Sequence, residues 1–253
     1  MVPAIIKKTV HKFLRSRGYT LQKTNNPAFA FQNTHYLRHN ARRLEHLASL
    51  RIDVYGSQTL EVGAGIGDHS SYYLDRNCPI TITEARQENL SFLKSRYPDT
   101  PIEFLDMENP VDMKGKPFEV IHCYGLLYHL GYPKLALKYM SEHCSKILFL
   151  ETSVSFGSEL SENIVNEDAS SKTQAFSGKG CRPTRDWLFS ELKSHFEYVY
   201  CPSTQPNHEE FPLDWTCPEK HKNHLSRAIF VASRQKLDNE LLLTELPEKQ
   251  TRH

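Results

Sequence analysis

From residue 59 onward, short apolar runs alternate with amphipathic segments, and this alternation restricts the fold more than any other feature of the chain. TLEV precedes a helical pattern over 68–76, PITITE one over 87–97, and PIEFLD and FEVIHCYG one over 133–144. KILFLET, a helical pattern over 184–195, FEYVYC and LSRAIFVAS complete the series. Strands separated by helices pair in parallel, with helices on both faces of one sheet. Only the Pro-rich stretch 202–224 separates FEYVYC from LSRAIFVAS, and a hairpin there turns the last strand antiparallel. The expected fold class is therefore α/β, a doubly wound mixed sheet of seven strands whose last strand is antiparallel.

Two helices are expected before the sheet. PAIIKKTVHKFLRSRGY places Ile6, Val10, Phe13 and Leu14 on one stripe, and HYLRHNARRLEHLASLRID places Leu37, Ala41, Leu44, Leu47 and Leu50 on another. The first helix either covers its own domain or lies on a membrane surface. The chain thus divides into an N-terminal helical extension (1–57), one sheet domain (58–234) with insertions at 152–182 and 202–224, and a tail (235–253) in which LDNELLLTEL reads as a helix. At 253 residues, one hydrophobic core is the natural arrangement.

Charge is nearly balanced, 31 Lys and Arg against 30 Asp and Glu, so no global field draws a polyanion. The six cysteines contain no CxxC pair, which suits reduced thiols in a cytoplasm. Cys217, His221 and His224 lack a fourth ligand at zinc spacing, and no metal is expected. No window has the length of a membrane span, so the expected protein is soluble and cytoplasmic.

LEVGAGIGDHS follows the first strand of the series. A dinucleotide fingerprint needs GxGxxG, but position 68 is Asp, and no GK[ST] follows for a P-loop. Gly63 and Gly65 let the backbone turn sharply towards a ligand, and Gly67 keeps the next helix close. TITEA ends its strand at Glu84, 21 residues after Gly63, where a carboxylate can accept both ribose hydroxyls. LDME places Asp106 to accept from an exocyclic amine and Met107 to pack on a purine face. The three strand ends together suit a nucleoside without a pyrophosphate.

LEVGAGIG, TITEA, LDME and FEVIHCYGLLYHL, spread over residues 58–151, resemble the class I S-adenosylmethionine-dependent methyltransferases. The resemblance implies a Rossmann-like sheet and S-adenosyl-L-methionine as cofactor. It further implies Glu61, Gly63, Gly65 and Gly67 around the methionine part, Glu84 and Ala85 at the ribose, Asp106 and Met107 at adenine, and Cys123 or Tyr124 on the sulfonium side. One of Arg38, Asn40, Arg42 and Arg43 on the second helix is a candidate for the cofactor carboxylate.

The acceptor is expected outside the carboxyl ends of the strands, where both insertions begin. His129 in GLLYHL is the first candidate general base, with Glu151 to orient it or hold the acceptor. In QPNHEEFPLDW, His208 is a second candidate base, Trp215 could stack on a sugar or base, and Glu209, Glu210 and Asp214 could accept hydroxyls; an ordered loop covering the sheet end is the alternative.

YGLLYHL, ILFLET and RPTRDWL also resemble the tRNA wobble-uridine carboxymethyltransferase and its relatives. Leu130 stands where a carboxylated cofactor would want a cation, so plain S-adenosylmethionine is favoured. GCRPTRDW and QPNHEEFPLDW resemble a bacterial branch of methyltransferases that implies a small molecule or glycan precursor as acceptor. RNA is the less favoured acceptor, and a cofactor-binding regulator without transfer activity is a third reading. The residues do not decide the oligomeric state.

Overall fold

A computed structural model describes residues 4–19, 26–113, 115, 117–170, 173–222 and 224–253. The N-terminal extension forms α1 (Ala4–Ser16), the single turn α2 (Ala28–Phe31) and α3 (Thr34–Ser49). The sheet domain then runs β1 (Thr59–Glu61), α4 (Ser70–Leu74), β2 (Ile80–Glu84), α5 (Gln87–Arg96), β3 (Ile102–Phe104) and β4 (Phe118–Tyr124). After a 3₁₀ turn at Leu127–His129 come α6 (Pro133–Glu142), β5 (Cys144–Ser153), a small hairpin of β6 (Ile164–Asn166) and β7 (Lys179–Cys181), and α7 (Arg185–His195). The chain ends with β8 (Tyr198–Pro202), β9 (Thr204–Gln205), β10 (Arg227–Ser233), β11 (Leu242–Leu243) and β12 (Thr251–Arg252).

The main sheet has eight strands in the order β11-β8-β10-β5-β4-β1-β2-β3. β1 lies between β2 and β4, with both neighbours parallel to it, and β10 is antiparallel to both β5 and β8. Because the chain moves outward from β1 in both directions, the carboxyl ends of β1 and β4 diverge there and open a cleft. One apolar layer, with Leu60, Ile121, Leu137, Leu188 and Phe230, fills one side of the sheet. A second, with Leu47, Ile82, Leu93, Val120, Phe149 and Val231, fills the other. No helix among the described residues is long and apolar enough to cross a membrane.

The tail departs from expectation. LDNELLLTEL is not a helix: Leu242 and Leu243 pair with β8 as the eighth strand. A ten-residue helix is marginal without packing, whereas here the tail is tied down by side chains. Leu237 N–H donates to Tyr200 Oη at 2.9 Å, and Asn239 Nδ2 donates to Leu50 O at 2.7 Å. The pairing also covers the edge that β8 would expose.

Helix α3 departs in a second way. Leu37 and Ala41 of the expected apolar stripe are exposed, while His39, Arg43 and His46 are buried with Leu47. Spaced four and three apart, these polar residues share one helical face, and that face covers the cleft. Asn33 caps the helix by accepting the Tyr36 N–H at 3.0 Å.

Candidate functional site

The glycine turn leaves β1 with Gly63, Gly65 and Gly67 at φ of 68°, 60° and 77°, where other residues are strained. Gly63 and Gly65 line the cleft, with Phe31 packing against Gly65. Gly67 does not line it. A Cβ there would come within 2.7 Å of Leu93 and Tyr97, and the Tyr97 hydroxyl donates to Gly67 O at 2.6 Å. Gly67 seats the turn on α5. Gly67→Ala is expected to cost about 1–3 kcal/mol of stability, read as a lower Tm; an unchanged Tm would contradict the packing role.

Glu84 ends β2 nearly buried, accepting N–H groups from Gly65 (2.8 Å), Ala85 (2.8 Å) and Arg86 (2.9 Å). Burial pushes its carboxyl above the usual range, and these donors oppose the shift. Ala85, Asp106 and Met107 line the same side of the cleft. Asp106 is fixed by the Glu108 N–H at 2.9 Å, and Met107 is buried.

Below the glycine turn, Glu61 accepts from the Ser70 hydroxyl at 2.5 Å, and burial raises its carboxyl to about 7. A relay not foreseen from the sequence lies beside it. Tyr73 Oη lies 2.9 Å from His122 Nδ1, and His122 Nε2 lies 3.1 Å from His69 Nδ1, both at hydrogen-bond distance. Burial lowers His122 to about 3, so its ring is neutral. Among the described residues, His69 Nε2 and the Tyr124 hydroxyl are buried without hydrogen-bond partners, and both residues line the cleft. Cys123 is fully buried and is not part of the lining.

Of the α3 candidates, Arg38 pairs with Glu209 and Arg42 with Glu45, on the surface. Asn40 and Arg43 line the cleft. Asn40 donates to Asp68 at 3.1 Å, and Arg43 Nη2 donates to Glu151 at 2.6 Å.

His129 lines the cleft from the turn after β4, and its Nδ1 is 2.5 Å from Glu167 Oε2. Glu167 belongs to the first insertion and also accepts from Arg182 Nη2 at 2.9 Å and the Ala175 N–H at 2.7 Å. These donors and His129 hold its carboxyl at about 2 against the opposing effect of burial. Burial lowers His129 below the ordinary imidazole value even though Glu167 raises it. Burial disfavours the charged imidazole; in its neutral form, with Nδ1–H donating to the Glu167 carboxylate, Nε2 is the ring's acceptor.

Glu151 does not orient His129. It is wholly buried between Arg43 and Arg227, with Arg227 Nη1 at 3.2 Å, and Arg227 Nε also holds Glu210 at 2.6 Å. His208 is likewise outside the cleft lining, buried with its ring 4.7 Å from that of His39. Trp215 covers structure: its Nε1 donates to Gln250 at 2.7 Å, and Arg185 lies 4.1 Å over its ring. The second insertion thus supports α3, while the first roofs the cleft. Gln174 O accepts from Arg86 at 2.9 Å, and the Thr173 side chain bonds Tyr36 across the opening. Among the described residues, the cleft holds about 1170 Å³ of empty space, its mouth included.

Solved structures share this arrangement. The N-terminal domain of EvdMO1, crystallised in the presence of SAH and D-fucose, is 18% identical with a TM-score of 0.60, covering 90% of this chain and 97% of its own. An S-adenosylmethionine-dependent methyltransferase from Mesorhizobium loti is 13% identical with a TM-score of 0.56, over 78% of this chain and 100% of its own. The fold is that of class I methyltransferases. CalS10, an amino pentose methyltransferase from Micromonospora echinaspora crystallised with SAM bound, is 16% identical with a TM-score of 0.53, over 86% of this chain and 99% of its own. No family model matches the chain, and no curated protein does.

Proposed function

We propose that this class I methyltransferase fold binds S-adenosylmethionine and passes its methyl group to a hydroxyl or amine of a small polar acceptor, a saccharide being the favoured class. The observation that carries the reading is the meeting, in one roofed cleft, of the glycine turn, the Glu84 carboxylate and the His129–Glu167 pair. The residues fit the cofactor. Glu84 can accept from ribose hydroxyls, Asp106 and Met107 can take adenine, Glu61 can accept from an ammonium, and partnerless His69 Nε2 and Arg43 suit a carboxylate.

When bound, the sulfonium supplies an activated methyl carbon, so the protein has to align the acceptor, exclude water and remove a proton where the acceptor is a hydroxyl. Tyr36, Phe31 and the 173–177 segment exclude water. His129 Nε2 takes the proton, and Glu167 fixes the ring through Nδ1.

A sugar or related small acceptor is supported by the roofed cleft, by the net charge of +1, and by the sugar-linked descriptions of EvdMO1 and CalS10. Calorimetry with S-adenosylhomocysteine is expected to give one site per chain, weakened at least about tenfold in Glu84→Ala through loss of the buried acceptor. Absence of binding heat in the wild-type chain would overturn the reading.

A further inference from the structure

Three histidines and two carboxylates meet where α3 lies against the 202–224 insertion, apart from the groups assigned to cofactor or proton transfer. His35 and His39 are one helical turn apart in HYLRH, so both project from the same side of α3. The insertion brings Glu210 to them: His35 Nε2 is 3.4 Å from Oε1, and His39 Nε2 is 3.7 Å from Oε2. One donor atom from each of the three residues lies within 4.8 Å of the others.

The two nitrogen–oxygen separations are close to those of a coordination shell. Tetrahedral zinc, with bonds of about 2.0–2.1 Å, sets neighbouring ligand atoms about 3.3 Å apart. His39 is buried, its side chain 2% exposed, and among the described residues its Nε2 has no hydrogen-bond partner. A buried imidazole nitrogen facing a carboxylate without bonding to it is a costly arrangement unless something lies between them. Arg227 Nε anchors Glu210 through Oε2 at 2.6 Å, giving the carboxylate the outer hydrogen bond that metal ligands commonly have. Glu151 offsets the charge of Arg227 from behind.

His208 and Glu209 also gather near His35, but they are poorer ligands. His208 Nδ1 accepts the Glu210 N–H at 3.2 Å, which puts the ring proton on Nε2 and leaves no lone pair there. Glu209 is taken by Arg38.

We infer that His35, His39 and Glu210 bind one divalent transition-metal ion of the zinc class, two imidazoles and a carboxylate leaving a fourth position for water or an acceptor oxygen. His39 also lines the cleft, so the ion sits at the cleft wall and ties the second insertion to it. The site stands independently of the methyl-transfer reading.

The test uses the full chain, stripped with a chelator and titrated with Zn²⁺ by calorimetry and with Co²⁺ by absorption. One equivalent of each ion and the visible bands of four-coordinate Co²⁺ are expected. His35→Ala and His39→Gln should each weaken binding at least about tenfold. His208→Ala and the double variant Cys217→Ser/His221→Ala should bind as the wild type does. His35 is half exposed, so its variant keeps the fold, and unchanged S-adenosylhomocysteine binding and Tm in chelator check this. No stoichiometric binding, undiminished binding in His35→Ala, or loss of the ion in His208→Ala would overturn the assignment.

Discussion

Glu151→Gln is expected to lower the free energy of unfolding by about 3–5 kcal/mol, read from urea denaturation. Glu151 is fully buried and, among the described residues, is the only carboxylate paired with Arg43, whose side chain is 7% exposed. Arg227, 5% exposed, keeps Glu210 when Glu151 is lost, but Arg43 keeps only a long contact of 3.4 Å to Asn40. The loss therefore comes mainly from a guanidinium left buried without a counter-ion. Arg43→Met combined with Glu151→Leu removes both charges and should recover most of the stability, because the cost lies in the unpaired ion and not in a missing contact. A loss of under about 1 kcal/mol in Glu151→Gln would show that the network is solvated.

His129→Ala is expected to lower kcat about 10²–10⁴-fold on a hydroxyl acceptor, with S-adenosylhomocysteine binding unchanged. Since burial holds the His129 pKa below the ordinary 6.5, the ring is neutral at pH 7. Activity should then be flat above pH 6.5 and fall as the ring gains a proton on the acid side. Glu167 raises that pKa, so Glu167→Gln should move the acid limb to still lower pH while reducing kcat by freeing the ring. Full activity in His129→Ala removes the base; an acid limb unmoved in Glu167→Gln removes the positioning role of Glu167.

The partner of His129 illustrates what local pattern could and could not reveal. His129 stood out because it follows the fourth strand by a few residues and titrates near neutrality. Glu167 lies 38 residues further on, in a polar insertion with several acidic side chains. No spacing singles it out, since the β6–β7 hairpin alone brings it back over the cleft. Glu151 looked better placed at a strand end, but β10 and α3 each bring an arginine against it. Gly67 has a packing role legible in the motif, but the helix that needs it is α5, which lies a strand further along the chain.

Several features of the chain were written in local chemistry. Period-two and period-3.6 apolar patterns specify strands and helices through the geometry of Cβ directions, so the doubly wound order, the antiparallel β10 and the glycine turn could be read directly. The same holds for Glu84, Asp106 and Met107, since strand ends in such a sheet share one rim. Other features depended on pairings between distant segments. Helix α3 reads as amphipathic through its leucines, yet it buries Arg43 and His46, because Glu151 and Thr204 provide partners that no window of sequence contains. The tail has helical spacing, yet it pairs with β8, because an exposed strand edge and the side chains of Tyr200 and Asn239 outweigh the weak preference of ten residues for a helix. Local pattern determined the scaffold and the rim at the cleft; the charges buried behind it, the partner of His129 and the meeting of His35, His39 and Glu210 were decided only when tertiary structure brought distant polar groups together.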